Sequence, residues 1–441
     1  MKTAKTQDLK EFLNDQGFKN LIGGHPWLWK KGISRPDLLP QRPGIVHLGE
    51  HWFLYSPQSQ IALRRVGPYW RNWAWLEGSQ KSKNYFYFED PKSEDLSLFW
   101  KETKSFLKQR LLSKIQLKVN KEDNCLRWLF SENDCCPGLV VDLFANTAVA
   151  QIQTAPIDFF WDSFKEVLTR ILNEVWLPHI VTDSPIVWLE QRDHPFREQE
   201  GLGLIKNVAT EKFQSTEIRW KGLKWNVNPG LGQKTGQFLD QGLNHLKVSE
   251  WANKIGCQYF WDTFCFEGGF GLHLLTPDRK GIFVDSSETA LEKTRSNIRL
   301  NFPTLQTHHL NFEKSDAFEF FKAQDAQFRS TSANSSERPD FIVLDPPSFA
   351  RKKSEIPRAL LGLKELNLRA LRSIRTGGIL VTCSCSHSID EQSFLNMIRQ
   401  AAHDARRFVK IYETLGPSPD HAPSPEFPEG RYLQTWVLGI D

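Results

Sequence analysis

Cysteine is scarce in this 441-residue chain: Cys125, Cys135, Cys136, Cys257, Cys265, Cys383 and Cys385, with no two spaced as C-x-x-C. An odd count without that spacing argues against a disulfide scaffold and against a zinc ribbon, and no bound metal is expected. No apolar run approaches the roughly 20 residues that cross a bilayer. The opening Met1-Lys-Thr-Ala-Lys-Thr-Gln-Asp also lacks the apolar stretch of a secretory signal. A cytoplasmic location with no membrane partner is the expectation. Charge of one sign is missing too: 56 Lys/Arg against 52 Asp/Glu leave +4, too little to announce a polyanionic partner by itself. There is no internal repeat.

What remains is a globular composition, 40% apolar and 24% charged, long enough for about three domains of roughly 150 residues. The uneven distribution is informative. Residues 1–90 carry 13 Lys/Arg against eight Asp/Glu and six of the sixteen tryptophans (Trp27, Trp29, Trp52, Trp70, Trp73 and Trp75). Basic residues interleaved with aromatics suit phosphate contact and base stacking, although an aromatic β-core with a solvated surface gives the same composition.

Pattern separates three regions. Up to residue 80, runs such as Gly44-Ile-Val-His-Leu and Trp52-Phe-Leu-Tyr broken by Gly and Pro have the texture of a small β-domain. A polar stretch over 81–95 reads as a linker. Residues 95–215 mix helical patterns near 98–112 and 158–174 with strand-like Leu126–Phe130, Gly138–Asp142 and Ala148–Ile152, an α+β middle domain. Over 216–441, and clearly from about 256, apolar strands beginning at Tyr259, Gly281, Phe341 and Gly378 alternate with helical stretches such as 287–301 and 356–375. That rhythm predicts a parallel, doubly wound α/β sheet whose ligands bind at the carboxyl ends of the strands. Ser330–Arg338 reads as a flexible insert, and Gly416–Gly430, with five prolines, as a loop.

The strand ends carry the candidate chemistry. After Asp262-Thr-Phe-Cys-Phe-Glu, Gly268-Gly269 permits a tight turn and close ligand approach, though this is not G-x-G-x-x-G and a plain turn would also use it. Asp285, about twenty residues on, can accept ribose hydroxyls or cap the next helix. Asp316 after Ser315 can meet an adenine amino group or cap likewise. Asp345-Pro346-Pro347-Ser-Phe349 stiffens the chain leaving a strand and holds Asp345 and Phe349 at the sheet edge, one to hydrogen-bond and one to stack. Thr382-Cys383-Ser384-Cys385-Ser386-His387 ends a further strand. A cysteine thiolate there can add to C6 of a cytosine and activate C5, or both cysteines can be small buried hydrophobes.

With these residues in place the chain resembles the class I S-adenosylmethionine-dependent RNA methyltransferases, specifically bacterial 23S ribosomal RNA cytosine-C5 methyltransferases with an N-terminal PUA domain. The resemblance runs through His25-Pro-Trp-Leu-Trp, Tyr55-Ser-Pro-Gln-Ser-Gln-Ile, Asn133–Phe144 and Lys234-Thr-Gly-Gln-Phe-Leu-Asp-Gln. It continues through Phe264–Phe270, Val284-Asp-Ser-Ser, Asp345-Pro-Pro-Ser-Phe, Ser384-Cys-Ser and Pro428-Glu-Gly-Arg-Tyr-Leu. It implies a Rossmann-like methyltransferase domain preceded by a PUA-like β-domain and an α+β domain. It also implies S-adenosylmethionine held by Phe264, Gly268, Gly269, Phe270, Asp285, Ser286, Asp316, Ala317 and Asp345. Asp345 would line the base pocket and Cys385 would be the nucleophile, since Cys383 stands where the family usually has an aromatic residue. Ribosomal RNA is the implied partner, and a homodimer is a compatible assembly. One departure is Leu239-Asp240-Gln241-Gly242, where the family reads Leu-Asp-Gln-Arg; Lys234 and Arg295 are the candidate substitutes for the lost cation. Two other readings stand beside cytosine-C5 transfer: methylation of a guanine nitrogen, which needs no thiolate, and a non-catalytic RNA-binding assembly factor.

Overall fold

The structure, a computed structural model, describes residues 12–441 except 23, 37–38, 49–50, 68–84, 89, 91, 119, 206–214, 230–234, 331–336 and 351. Trp70, Trp73, Trp75, Lys234, the opening eight residues and positions 331–336 of the insert therefore lie outside the described residues. The chain forms two compact units. One comprises Met1–Gly222, Asn226–Phe238 and Pro419–Gly430, the other Leu223–Trp225, Leu239–Ser418 and Arg431–Asp441.

The first unit is built largely on a five-stranded and a four-stranded sheet. Helix α1 (Asp15–Ile22) precedes β1 (Trp27–Trp29), β2 (Gly44–Leu48), β3 (His51–Tyr55), β4 (Ile61–Val66) and β5 (Tyr85–Phe88), arranged antiparallel in the order β1-β4-β3-β2-β5. The stretch expected to be a linker thus supplies a strand. Its Tyr-Phe-Tyr-Phe sequence is aromatic and strand-favouring, and it pairs with β2. Helix α2 (Ser97–Gln116) and the sheet β6 (Cys125–Phe130), β7 (Leu139–Phe144), β8 (Thr147–Ile152) and β9 (Val187–Gln191) follow, with α3 (Trp161–Ile171) between β8 and β9. Trp128, Phe164 and Trp176 are fully buried in the core joining these elements.

The second unit is built on a seven-stranded sheet. In chain order it runs α4 (Gly242–Lys254), β10 (Tyr259–Thr263), α5 (Gly269–Leu274), β11 (Lys280–Asp285), α6 (Glu288–Asn301), β12 (Leu310–Lys314) and α7 (Ala317–Ser330). Then come β13 (Phe341–Leu344), α8 (Ile356–Ser373), β14 (Ile379–Cys385), α9 (Glu391–Ala405), β15 (Val409–Leu415) and β16 (Leu433–Ile440). The sheet order is β12-β11-β10-β13-β14-β16-β15. The first five strands are parallel, and β16 and β15 close one edge antiparallel. The α/β alternation read from the sequence is present, and the antiparallel edge was not anticipated. The order reverses at β10, so the crevice beside its carboxyl end is where a doubly wound sheet accepts ligands. Apolar side chains such as Trp261, Ile342, Leu366 and Phe394 fill one core. Among the described residues no helix is long and apolar enough to cross a membrane.

At the opposite end of the sheet Asp340, 3% exposed, accepts the Gln258 and Tyr259 amides at 2.5 and 2.9 Å and lies 2.6 Å from Arg375 Nε. One carboxylate thereby ties the starts of β10 and β13 to the turn before β14. Asp340→Ala leaves those amides unsatisfied and is expected to lower unfolding free energy by about 2 kcal/mol in urea titration; an unchanged midpoint would contradict this role.

Candidate active site

The turn after β10 is built under strain. Phe264 and Phe266 have φ of +66° and +49°, and Gly268 has φ of +89°. Left-handed conformations at two phenylalanines cost of order 1–3 kcal/mol each and persist only where neighbours over-determine them. The neighbours are identifiable. Cys265 N donates to Val284 O at 3.0 Å and Phe266 N to Asp285 Oδ2 at 2.9 Å. From α6, Thr294 Oγ1 donates to Phe266 O at 2.9 Å, Asn297 Nδ2 to Glu267 O at 3.1 Å, and Lys293 pairs with Glu267. At Gly268 the positive φ disfavours any side chain, and a Cβ there would sit 2.3 Å from Leu272 Cδ1; a Cβ at Gly269 would sit 2.7 Å from His245 Cε1, so the histidine would have to shift.

Three aspartates gather at the ends of the adjacent strands β11, β10 and β13. Asp285 ends β11 with both oxygens engaged, Oδ2 by Phe266 N and Oδ1 by Ser287 N at 2.9 Å. Ser287, rather than Asp285, caps α6. Asp345, just after β13, accepts from Gln241 Nε2 at 3.0 Å. Asp262 lies within β10, 1% exposed; its Oδ2 accepts from Gly271 N at 2.7 Å, and its buried Oδ1 has no hydrogen-bond partner among the described residues. Burial pushes its carboxyl up to about 8, opposed by the Gly271 amide and reinforced by the negative charges of Asp345 and Asp285. Asp262 was not singled out from the sequence, yet a carboxylate inside the apolar run Tyr259-Phe-Trp was the available signal.

The other expected cofactor residues are placed as follows. Phe270 is buried, its ring 4.5 Å from that of His245. Phe264 packs on the core of the sheet. Ser286 and Asp316 are exposed and Ala317 is buried. Asp316 Oδ1 accepts from Phe318 N at 2.8 Å in the first turn of α7, so Asp316 does serve as a turn acceptor and keeps a second oxygen.

A buried polar chain supports Asp345. Thr435 Oγ1 donates to Cys383 Sγ at 3.3 Å, and Asn244 Nδ2 donates to Thr435 Oγ1 at 3.2 Å and to Gln241 Oε1 at 2.6 Å. That fixes the Gln241 amide with its NH2 toward Asp345. Nearby, Tyr432 O–H donates to Asp240 Oδ2 at 2.6 Å, and the His387 and Tyr432 rings lie 5.0 Å apart. Gln241, Asn244 and Thr435 come from distant segments, and only Gln241 belonged to a motif read from the sequence.

The two cysteines of β14 differ in environment. Cys383 is fully buried, and burial with the Asp345 charge pushes its thiol well above the ordinary range. Cys385 is partly exposed, and its Sγ lies 3.6 Å from Pro346 O in the Asp-Pro-Pro turn. Ser386 Oγ donates to Ala350 O at 3.2 Å, joining the loops that follow β14 and β13.

No protein-family profile matches the chain. Two solved structures resemble it over nearly its whole length at 15% identity. One, described as a methyltransferase complexed with SAH, has a TM-score of 0.68 and covers 96% of this chain and 97% of its own. The other, described as a SAM-dependent methyltransferase from Streptococcus mutans, has a TM-score of 0.65 and covers 97% and 98%. At that identity the likeness concerns the fold, and sheet order, glycine turn and strand-end carboxylates together define a class I S-adenosylmethionine-dependent methyltransferase. Ribosomal RNA large subunit methyltransferase I of Aeromonas hydrophila is 30% identical over 429 residues, covering 95% of this chain and 96% of the relative. Its namesake from Aeromonas salmonicida is 29% identical over 425 residues, covering 95% and 96%. The chain belongs to the ribosomal RNA large subunit methyltransferase I family.

The turn fits the donor. S-adenosylmethionine is a cation through its sulfonium and ammonium, and an orphaned buried carboxylate oxygen beside two further aspartates suits a cationic ligand. The strained turn is a condition for that fit, and Gly268→Ala is expected to weaken S-adenosylmethionine at least about tenfold by calorimetry, since the added Cβ displaces the turn. A variant binding like wild type would remove the turn from the donor site.

Asp262 adds a pH signature. Its proton leaves near 3.8 in the unfolded chain and near 8 in the fold. The ligand-free protein therefore loses stability as pH rises through that interval, by up to about 1.4 kcal/mol per unit. A bound cation favours the carboxylate, so donor affinity is expected to rise between about pH 6 and pH 9. Asp262→Asn should flatten both profiles in calorimetry and thermal unfolding; persistence of the slopes in that variant would assign them elsewhere.

Proposed function

We propose that this chain methylates carbon 5 of a cytosine in 23S ribosomal RNA, with Cys385 as nucleophile. The observation that carries this reading is the position of Cys385, partly exposed at the carboxyl end of β14 with its Sγ against the Asp-Pro-Pro turn. The relatives' name supports large-subunit ribosomal RNA as the substrate.

S-adenosylmethionine supplies an electrophilic methyl group when bound. Asp285 and Asp316 are assigned to its ribose and adenine, with Phe264, Gly268, Gly269, Phe270, Ser286 and Ala317 shaping the surrounding wall and Asp262 countering the charge. Cytosine C5 is a weak carbon nucleophile until the Cys385 thiolate adds to C6. That addition places electron density on C5, which takes the methyl group; loss of the C5 proton to a base then expels the thiolate and restores the ring. Asp345, oriented by Gln241, accepts a hydrogen bond from the amino group of the cytosine. The target must be unpaired or flipped out, because C6 is inaccessible in a stacked duplex. Residues 1–80 are assigned to a PUA-like domain that grips RNA by shape and phosphates, and 95–215 to the α+β domain.

RNA containing 5-fluorocytidine blocks the final proton loss and is expected to leave a covalent protein–RNA adduct on denaturing gels. Cys385→Ala should abolish the adduct while Cys383→Ser retains it. An adduct surviving in Cys385→Ala, or nucleoside mass spectrometry showing the modification on a guanine, would overturn the assignment.

A further inference from the structure

Strand β1 presents its aromatic residues in an unusual direction. Leu28 points into the core of the first sheet and is 1% exposed, so Trp27 and Trp29 occupy the opposite face, and both remain partly exposed. Among the described residues β1 is an edge strand, paired with β4. The rings do not collapse on the sheet but assemble with their neighbours. The His25 ring lies 5.1 Å from Trp29 and 5.5 Å from Trp27. Trp27 stands at 82° to Trp29 with centroids 5.9 Å apart, and 5.0 Å from Phe427. Trp27 is held in place: its indole N–H donates to Glu132 Oε1 at 2.8 Å, and Glu132 is itself buried, 3.8 Å from Arg64 Nε. Immediately beyond the strand, Lys30 and exposed Lys31 form a 3-10 turn with Gly32. Among the described residues neither lysine has a carboxylate partner. Exposed Glu429 lies 3.4 Å from His25 Nε2.

Exposed indole surface costs free energy unless something covers it, and Leu28 already satisfies the core. The chemistry of a cover is indicated by partly exposed aromatic rings followed directly in sequence by two lysines that have no carboxylate partner among the described residues. Flat rings accept a base of any sequence by stacking, and ammonium groups accept the flanking phosphates. We infer that His25, Trp27 and Trp29 with Lys30 and Lys31 form a stacking platform for an unpaired nucleotide of the RNA substrate, a contact additional to the target cytosine. This rests on the RNA-methyltransferase reading above.

The test uses the full-length protein and an unstructured 12-nucleotide RNA, followed by tryptophan fluorescence and filter binding. Wild type is expected to bind with quenched fluorescence, and Trp29→Ala to bind about tenfold more weakly, as loss of one stacked base implies. Trp29→Phe, which keeps a ring, should restore most of the affinity and separates stacking from a folding defect. In Lys30→Ala/Lys31→Ala the slope of log K against log salt should fall by about 1.4, at about 0.7 per single-strand phosphate contact. No binding by wild type at low salt, equal binding by wild type and Trp29→Ala, or an unchanged salt slope would each overturn the platform. Its failure and that of the enzymatic reading are distinguishable. Normal cytosine methylation with no effect of Trp29→Ala sinks only the platform, whereas Trp29-dependent binding with no methylated cytosine sinks only the chemistry.

Discussion

Asp262, Asp285 and Asp345 sit at the same edge of three neighbouring parallel strands, and carboxylates so placed repel one another in a partly buried crevice. Parallel pairing makes this concentration unavoidable once each strand carries an acid near its end, because every strand finishes on the same side. The structure disposes of the three charges in different ways. Asp285 spreads its charge over two backbone amides, Asp345 over the Gln241 amide, and Asp262 keeps its proton. Burial and the neighbouring negative charges thus raise the Asp262 carboxyl, and a nearby cation would favour its ionised form.

Much of this was legible in the chain. Periodicity located α6 and α8 closely, and the strand-terminal positions of Asp285 and Asp345 followed from where apolar runs stop. Polar residues at the ends of buried strands have no packing reason to be there, which is why they signal chemistry. Contacts whose partners lie far apart in the chain were not legible. Asn244 reaches Thr435 across 191 positions and Gln241 reaches Asp345 across 104, and neither pairing leaves a local pattern. The antiparallel strands β15 and β16 were missed because a proline-rich loop separates them and breaks the βα rhythm. β5 was missed because its surroundings are polar, although its own four residues are aromatic.

Cys383 and Cys385 show how little separates a structural thiol from a usable one. They lie two residues apart on β14 and so share a face. The strand carries Cys383 beneath Thr435, where burial holds the proton on sulfur. Two residues on, the strand emerges at the edge of the sheet and the neighbour becomes the Pro346 carbonyl. Sequence alone offers two equivalent cysteines, and depth along one strand distinguishes them.

The departure at Gly242 belongs to the same electrostatic account. Gly242 begins α4 and is buried. Arg295 is not a substitute for the missing arginine: it pairs with Glu288 at 3.2 Å and Glu292 at 2.5 Å, and its guanidinium lies over the Phe312 ring at 4.7 Å. The donors described at the neighbouring acids are instead neutral, Tyr432 O–H for Asp240 and the Gln241 amide for Asp345. A neutral donor orients a carboxylate without cancelling its charge, so these contacts leave the crevice more negative than a guanidinium would. Burial is the main reason the Asp262 carboxyl holds its proton, and the negative charges of Asp345 and Asp285 add to it.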